Sequence, residues 1–207
     1  MKNLDEMERY NYLIQARNYH YTNFNIWMAF FTVIIGAVFA GYCSLLTNPN
    51  TNTAFEQNLL LLLGYTISLF WHWSCKGYYY WITNFIKLLW DCEKNLADND
   101  RVYSCFANKN SNNNYCKITK GANISTSTVV CAMSFFVAVV WAVIFIYKML
   151  PGLLMPKECA GFVEFYAIPY FVVSMILAIA VTLFFNVIIP KRKCFNSDID
   201  NLVDLKL

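Results

Sequence analysis

No lysine, arginine, aspartate or glutamate falls in four stretches of this sequence: Ile26–Leu46, Asn58–Trp73, Val129–Tyr147 and Tyr166–Ile189. Each comes close to the ~20 residues a helix needs to cross about 30 Å of hydrocarbon. Charged residues make up 14% of the whole, against roughly 25% in an ordinary globular domain. This scarcity excludes a soluble domain, because 207 residues cannot wrap four such helices in protein. In lipid the backbone must satisfy its own hydrogen bonds, so the uncharged runs are expected to be helices. Carboxylates inside the spans are absent too, which argues against a transporter that works through mid-membrane acids.

The motifs that carry chemistry are also missing. There is no Cys-x-x-Cys, no His-Glu-x-x-His, no glycine loop closed by lysine and no nucleophile elbow. The two histidines, His20 and His72, are far apart. Cys92, Cys105 and Cys116 have irregular spacing. No catalytic residue, cofactor site or metal site is expected, and the chain reads as no enzyme. The first run is not a cleavable signal, since a long segment that is not notably basic precedes it and the run exceeds a signal core.

What is present is an all-α, polytopic membrane protein. The expected order is a cytoplasmic N-terminal helix over 1–25, then spans over 26–46, 58–75, 129–148 and 166–189. A cytoplasmic helix extension and polar loop fill 76–128, and a cytoplasmic tail fills 190–207. Fourteen of the sixteen basic residues flank the spans on one side; only Lys148 and Lys157 fall on the other. The positive-inside rule then places both termini and the middle loop in the cytoplasm. Trp27, Trp71, Trp73 and the Tyr78–Trp81 cluster mark the inner boundary, and Tyr147, Tyr166 and Tyr170 the outer. Most of the eight cysteines fall on the reducing side, so a disulfide framework is not expected. The sequon at Asn123 also lies on that side and reads as chance.

Two helices should run past the membrane. Leu4, Met7, Tyr10, Ile14, Tyr21 and Phe24 recur at helical intervals, and no proline or glycine interrupts the chain before Gly36. In Tyr78–Ala97, the residues Trp81, Phe85, Leu88, Leu89 and Cys92 share one side, while Asp91, Glu93 and Lys94 suit a solvated face. Spans one and two thus predict a cytoplasmic helical neck, with Gly77 as a place for a bend. Asn108–Asn114 is a turn-rich polar loop. The Lys191–Lys193 triplet fixes topology and can touch anionic lipid. Pro169 sits in the first turn of span four, while Pro151 and Pro156 shape the outer loop.

Small residues four apart mark faces for helix packing: Gly36 with Ala40, Ser134 with Ala138 and Ala142, and Ser174 with Ala178. They serve a bundle or contacts between subunits equally well. Span two has few small residues and a leucine run, Leu59–Leu63, for lipid or for knobs-into-holes packing. The candidate polar cluster is Arg17, Asn18 and His20 in the neck, His72 and Lys76 at the boundary, and Arg101 in the loop. Arg17, Asn18 and His20 have possible partners in Asp91 and Glu93. His72 is either a proton or ligand site or, more commonly, an interfacial histidine; Lys76 snorkels to the headgroups.

The chain opens with a polar helix carrying Arg17-Asn18 that runs into Asn25-Ile-Trp-Met-Ala-Phe-Phe. A second hydrophobic helix continues as Trp71…Lys76-Gly-Tyr-Tyr-Tyr-Trp…Lys87…Glu93-Lys-Asn-Leu. This resembles the RipA-type octameric membrane protein family of bacteria, and in layout the membrane accessory protein of type VI-B CRISPR systems. The resemblance covers roughly Leu4–Val102, and the chain departs from it by adding spans three and four. It implies a homo-oligomer in the inner membrane, with a pore or membrane-perturbing role in antiviral defense. A conducting path would need a hydrophobic gate or a lining of Thr32, Ser44, Thr66 and Ser68. The expected partners are the lipid bilayer, further copies of the chain and a cytoplasmic protein, without direct nucleic-acid binding. The rival reading is a membrane anchor or scaffold that recruits a soluble partner.

Overall fold

A computed structural model describes residues 6–47, 53–94, 125–154 and 167–188. Each segment is built on one helix: α1 (Glu6–Leu46), α2 (Ala54–Glu93), α3 (Thr126–Leu154) and α4 (Ala167–Ile188). Arg101, the Asn108–Asn114 loop, Pro156 and the basic tail lie outside the described residues.

Local chemistry sets the helix ends. Glu6 and Glu8 occupy the first turn of α1, where negative charge complements the helix dipole. The Thr47 amide and hydroxyl bond back to the carbonyls of Cys43 and Ser44 and close that helix. Thr53 begins α2 by accepting the Gln57 amide at 2.9 Å. Ser125 caps α3, its carbonyl taking the Val129 amide and its hydroxyl the Thr128 amide. Pro169 falls in the first turn of α4, where its missing N–H has no helical partner to lose. α3 continues through Pro151 to Leu154, beyond the point where that proline was expected to begin a loop.

α1 and α2 have 41 and 40 residues, so each is about 60 Å long at ~1.5 Å per residue. α1, α3 and α4 are long and apolar enough to cross a membrane. α2 is not among these three helices.

The chain divides into two units. The first holds Met1–Val33 with Ser74–Met133, and the second Ile34–Trp73 with Ser134–Leu207. In the second unit the core gathers Val38, Tyr42, Leu61, Tyr65, Leu69, Ala138, Trp141, Ala142 and Ala178. Small residues let the backbones approach there, since burial in lipid gains little from apolarity alone. Ser134, Ala138, Ser174 and Ala178 have no exposed surface, and Ala142 has almost none. Gly64 is the tightest position: a Cβ there would lie 2.6 Å from the Trp141 ring. α2 therefore packs through Leu61, Gly64, Tyr65 and Ser68 while Leu59, Leu62 and Leu63 face outward.

The first unit is built on rings. Phe24 of α1 stacks on Tyr78 of α2 at 3.6 Å between centroids, and His20 stacks on the same tyrosine at 4.8 Å. Further along, Tyr10 and Leu89 are buried together with Leu13, Ile14 and Cys92 against them.

Candidate functional site

The first unit carries a buried carboxylate. Glu93 is wholly buried, and the Tyr10 hydroxyl donates to its Oε1 at 2.8 Å. This corrects the expectation of a solvated Glu93. It lies four residues beyond Leu89, on the apolar face of α2, and α1 covers that face. Asp91 and Lys94 do face solvent and pair at 2.7 Å. Burial pushes the Tyr10 phenol up to about 12, with the Glu93 bond and charge adding to the shift. A phenol so placed stays protonated at neutral pH and serves as a fixed donor.

The predicted polar positions separate. In the first unit, Arg17 donates to the Asn18 side chain at 2.7 Å, and His20 turns to its stack with Tyr78. Burial holds the His20 imidazole below its ordinary value, with a backbone hydrogen bond at Tyr78 opposing the shift. Desolvation thus favours the neutral ring. Lys76 is exposed. In the second unit, His72 is buried, its Nδ1 is 3.1 Å from the Ser134 hydroxyl, and its ring lies against Phe135. Arg101 lies outside the described residues.

Other polar contacts in the second unit are new relative to the sequence. Trp73 donates its indole N–H to the Asn186 side-chain oxygen at 3.1 Å, and the Asn186 amide donates to the Thr182 carbonyl. The hydroxyls of Tyr65 and Thr182 meet at 3.4 Å. At the ends of α1 and α2, Gln57 donates to the Leu45 carbonyl at 3.2 Å and to the Thr53 hydroxyl at 2.9 Å. Lys148 of α3 donates to the Gln57 side-chain oxygen and lies 5.6 Å from the centre of the Tyr42 ring. The polar residues within the apolar runs were the only sequence signal for these contacts, and nothing in sequence pairs Gln57 with Lys148.

The hydroxyls expected along a conducting path are occupied locally. Thr32, Thr66 and Ser68 donate to the carbonyls four residues back, those of Met28, Leu62 and Gly64. Ser68 is buried, whereas Thr32 and Ser44 are exposed. Gly36 and Ala40 are likewise exposed within the chain, unlike the packing residues of α3 and α4.

The stretch that carries α1, α2 and most of α3 matches the octameric membrane protein family (8xMP) over residues 7–150. The chain belongs to this family. The match passes beyond Val102 and takes in α3 up to Leu150, so the third helix is part of the octameric membrane protein pattern and not an addition to it. α4 lies outside the match. Membership and the apolar helices place the protein in a membrane, and the family's description supports a homo-oligomer. No curated protein and no solved structure matches the chain.

Proposed function

We propose that this chain is a non-enzymatic, self-assembling protein of the bacterial inner membrane, whose assembly opens or perturbs that membrane in anti-phage defence. The family match over residues 7–150 carries the reading. α1, α3 and α4 supply three spans by length and apolarity, and α2 supplies the fourth. Its run from Asn58 to Trp73 is diluted by Tyr65, His72 and two tryptophans. Yet Tyr65, Trp71 and His72 are buried in the protein, so lipid does not meet their polar groups. The basic residues put both termini and the middle loop in the cytoplasm. α1 and α2 are each about twice the ~20 residues needed to cross, which leaves length for a cytoplasmic neck.

Assembly has a candidate seam. Gly36 and Ala40 are exposed, and among the described residues nothing outside the α1 backbone lies within 4 Å of a Cβ built at Gly36. Small residues on an open face of a membrane helix allow a second copy to approach closely. A path for ions then lies between copies, where Thr32 and Ser44 are also exposed.

One observation favours the rival reading, an anchor that recruits a cytoplasmic protein. Tyr12, Tyr19 and Tyr21 are exposed on α1, and exposed tyrosines are common anchors at protein interfaces. Dye release from liposomes carrying the full chain, with and without cell extract from phage-infected cells, separates the two. Leak that disappears in Gly36→Leu, together with a fall in particle mass, is the expected result. Absence of leak in all conditions, with activity retained after exchange of all spans, sinks the pore and leaves the anchor.

A further inference from the structure

A groove of about 380 Å³ opens between α1 and α2 in the first unit, beside the Phe24–Tyr78 stack. Its wall changes character along α1. His20 and Asn23 form one end, and Trp27, Met28 and Phe31 the other. Those two ends straddle Ile26, where the uncharged run begins. No charged side chain lines the groove among the described residues. Two further observations point to an occupant. Asn23, at the polar end, is exposed and brings a side-chain amide that can donate. Gly77 lines the groove, and among the described residues nothing outside its own helix backbone lies within 4 Å of a Cβ built there, so the wall at α2 is open.

We propose that the groove holds one acyl chain of a membrane phospholipid, with the ester linkage at the His20–Asn23 end. From His20 to Phe31 the helix rises about 16 Å, enough for most of an acyl chain. The volume falls in the ~300–1,000 Å³ range of small-molecule sites. The polar end is neutral and offers the Asn23 amide as a donor, which suits an ester carbonyl. Arg17, one turn before His20 on the same side of α1, stands where a lipid phosphate would follow. Depth agrees, because the polar end lies where the sequence leaves the headgroup layer and the apolar end where hydrocarbon begins. The inference rests on α1 entering the membrane at Ile26 and not on any pore.

The test uses the full chain in phosphatidylethanolamine–phosphatidylglycerol vesicles doped with a phospholipid carrying a photoactivatable acyl chain. Label is mapped by mass spectrometry, and particle mass is measured in parallel. The expected result is label on the segments 23–31 and 74–78, reduced about tenfold in Gly77→Trp because the indole fills the site, with particle mass unchanged. Equal labelling of Gly77→Trp and the natural chain overturns the proposal. So does breakdown of the particle by that substitution, which would assign the groove to a second copy. A second variant addresses the polar end. Asn23→Leu keeps the volume of the side chain and removes the amide donor. It should weaken labelling by the ester-linked lipid while leaving labelling by an ether-linked analogue unchanged. Natural chain that takes both lipids equally sinks the ester assignment. Label on 33–46 but not on 23–31 rejects the groove while leaving the membrane reading intact; label nowhere along α1 removes both.

Discussion

The two units hold together by different means. The second brings helix backbones close, through Gly64, Ala138, Ala142 and Ala178, and fills what remains with the Trp141 ring. The first joins its helices through stacked rings and buries a carboxylate against a phenol. Lipid offers no hydrophobic reward for helix association, so close approach and dispersion must supply it. A neck in water gains from burying rings and can hold a buried acid, provided a donor meets it. The contrast is the one expected if the first unit stands largely in water and the second in lipid.

The strongest way to break this contrast is Trp141→Ala. It empties the space against Gly64 and should cost about 3–5 kcal/mol, read by unfolding in mixed micelles of rising SDS. The Tyr10–Glu93 contact should not register the change. Next comes Tyr10→Phe, which leaves Glu93 buried without its phenol donor and should cost about 1–3 kcal/mol. Because folding raises the Tyr10 value from 10.0 to about 12, its contribution is complete below pH 10 and is lost as pH rises towards 12. Titrating tyrosinate absorbance in the natural chain and in Tyr10→Phe checks that sign. The smallest effect is Trp73→Phe, which removes the indole bond to Asn186. Hydrogen bonds between helices in lipid average about 0.6 kcal/mol. A loss several times larger would mean that the second unit relies on polar contacts as much as the first does, and the comparison would fail.

Much of the fold was legible because lipid makes length and apolarity the deciding variables. The four runs, the unbroken course of α1 and the small-residue faces of α3 and α4 can be read from spacing. α2 was harder. Its aromatic and histidine residues lower its apolarity, and their burial depends on neighbours that no local window contains. Glu93 shows the same limit. Asp91 and Lys94 beside it look solvated and are, but its position four residues after Leu89 aligned it with the buried face. The decisive partner, Tyr10, is 83 residues away. Gly64 meeting Trp141 and Gln57 meeting Lys148 are equally non-local. The proposed polar cluster was assembled from residue type alone, and side chains of one type went to different surroundings.

Lys148 is a cation that donates to an amide oxygen and lies over a phenol ring, neither of which carries net charge. Added electrolyte weakens an exposed ion pair such as Asp91–Lys94 by screening both of its charges. It has far less purchase on a cation held by a dipole and a ring face. Of these two fastenings, the one tying α3 to the start of α2 should therefore survive brine.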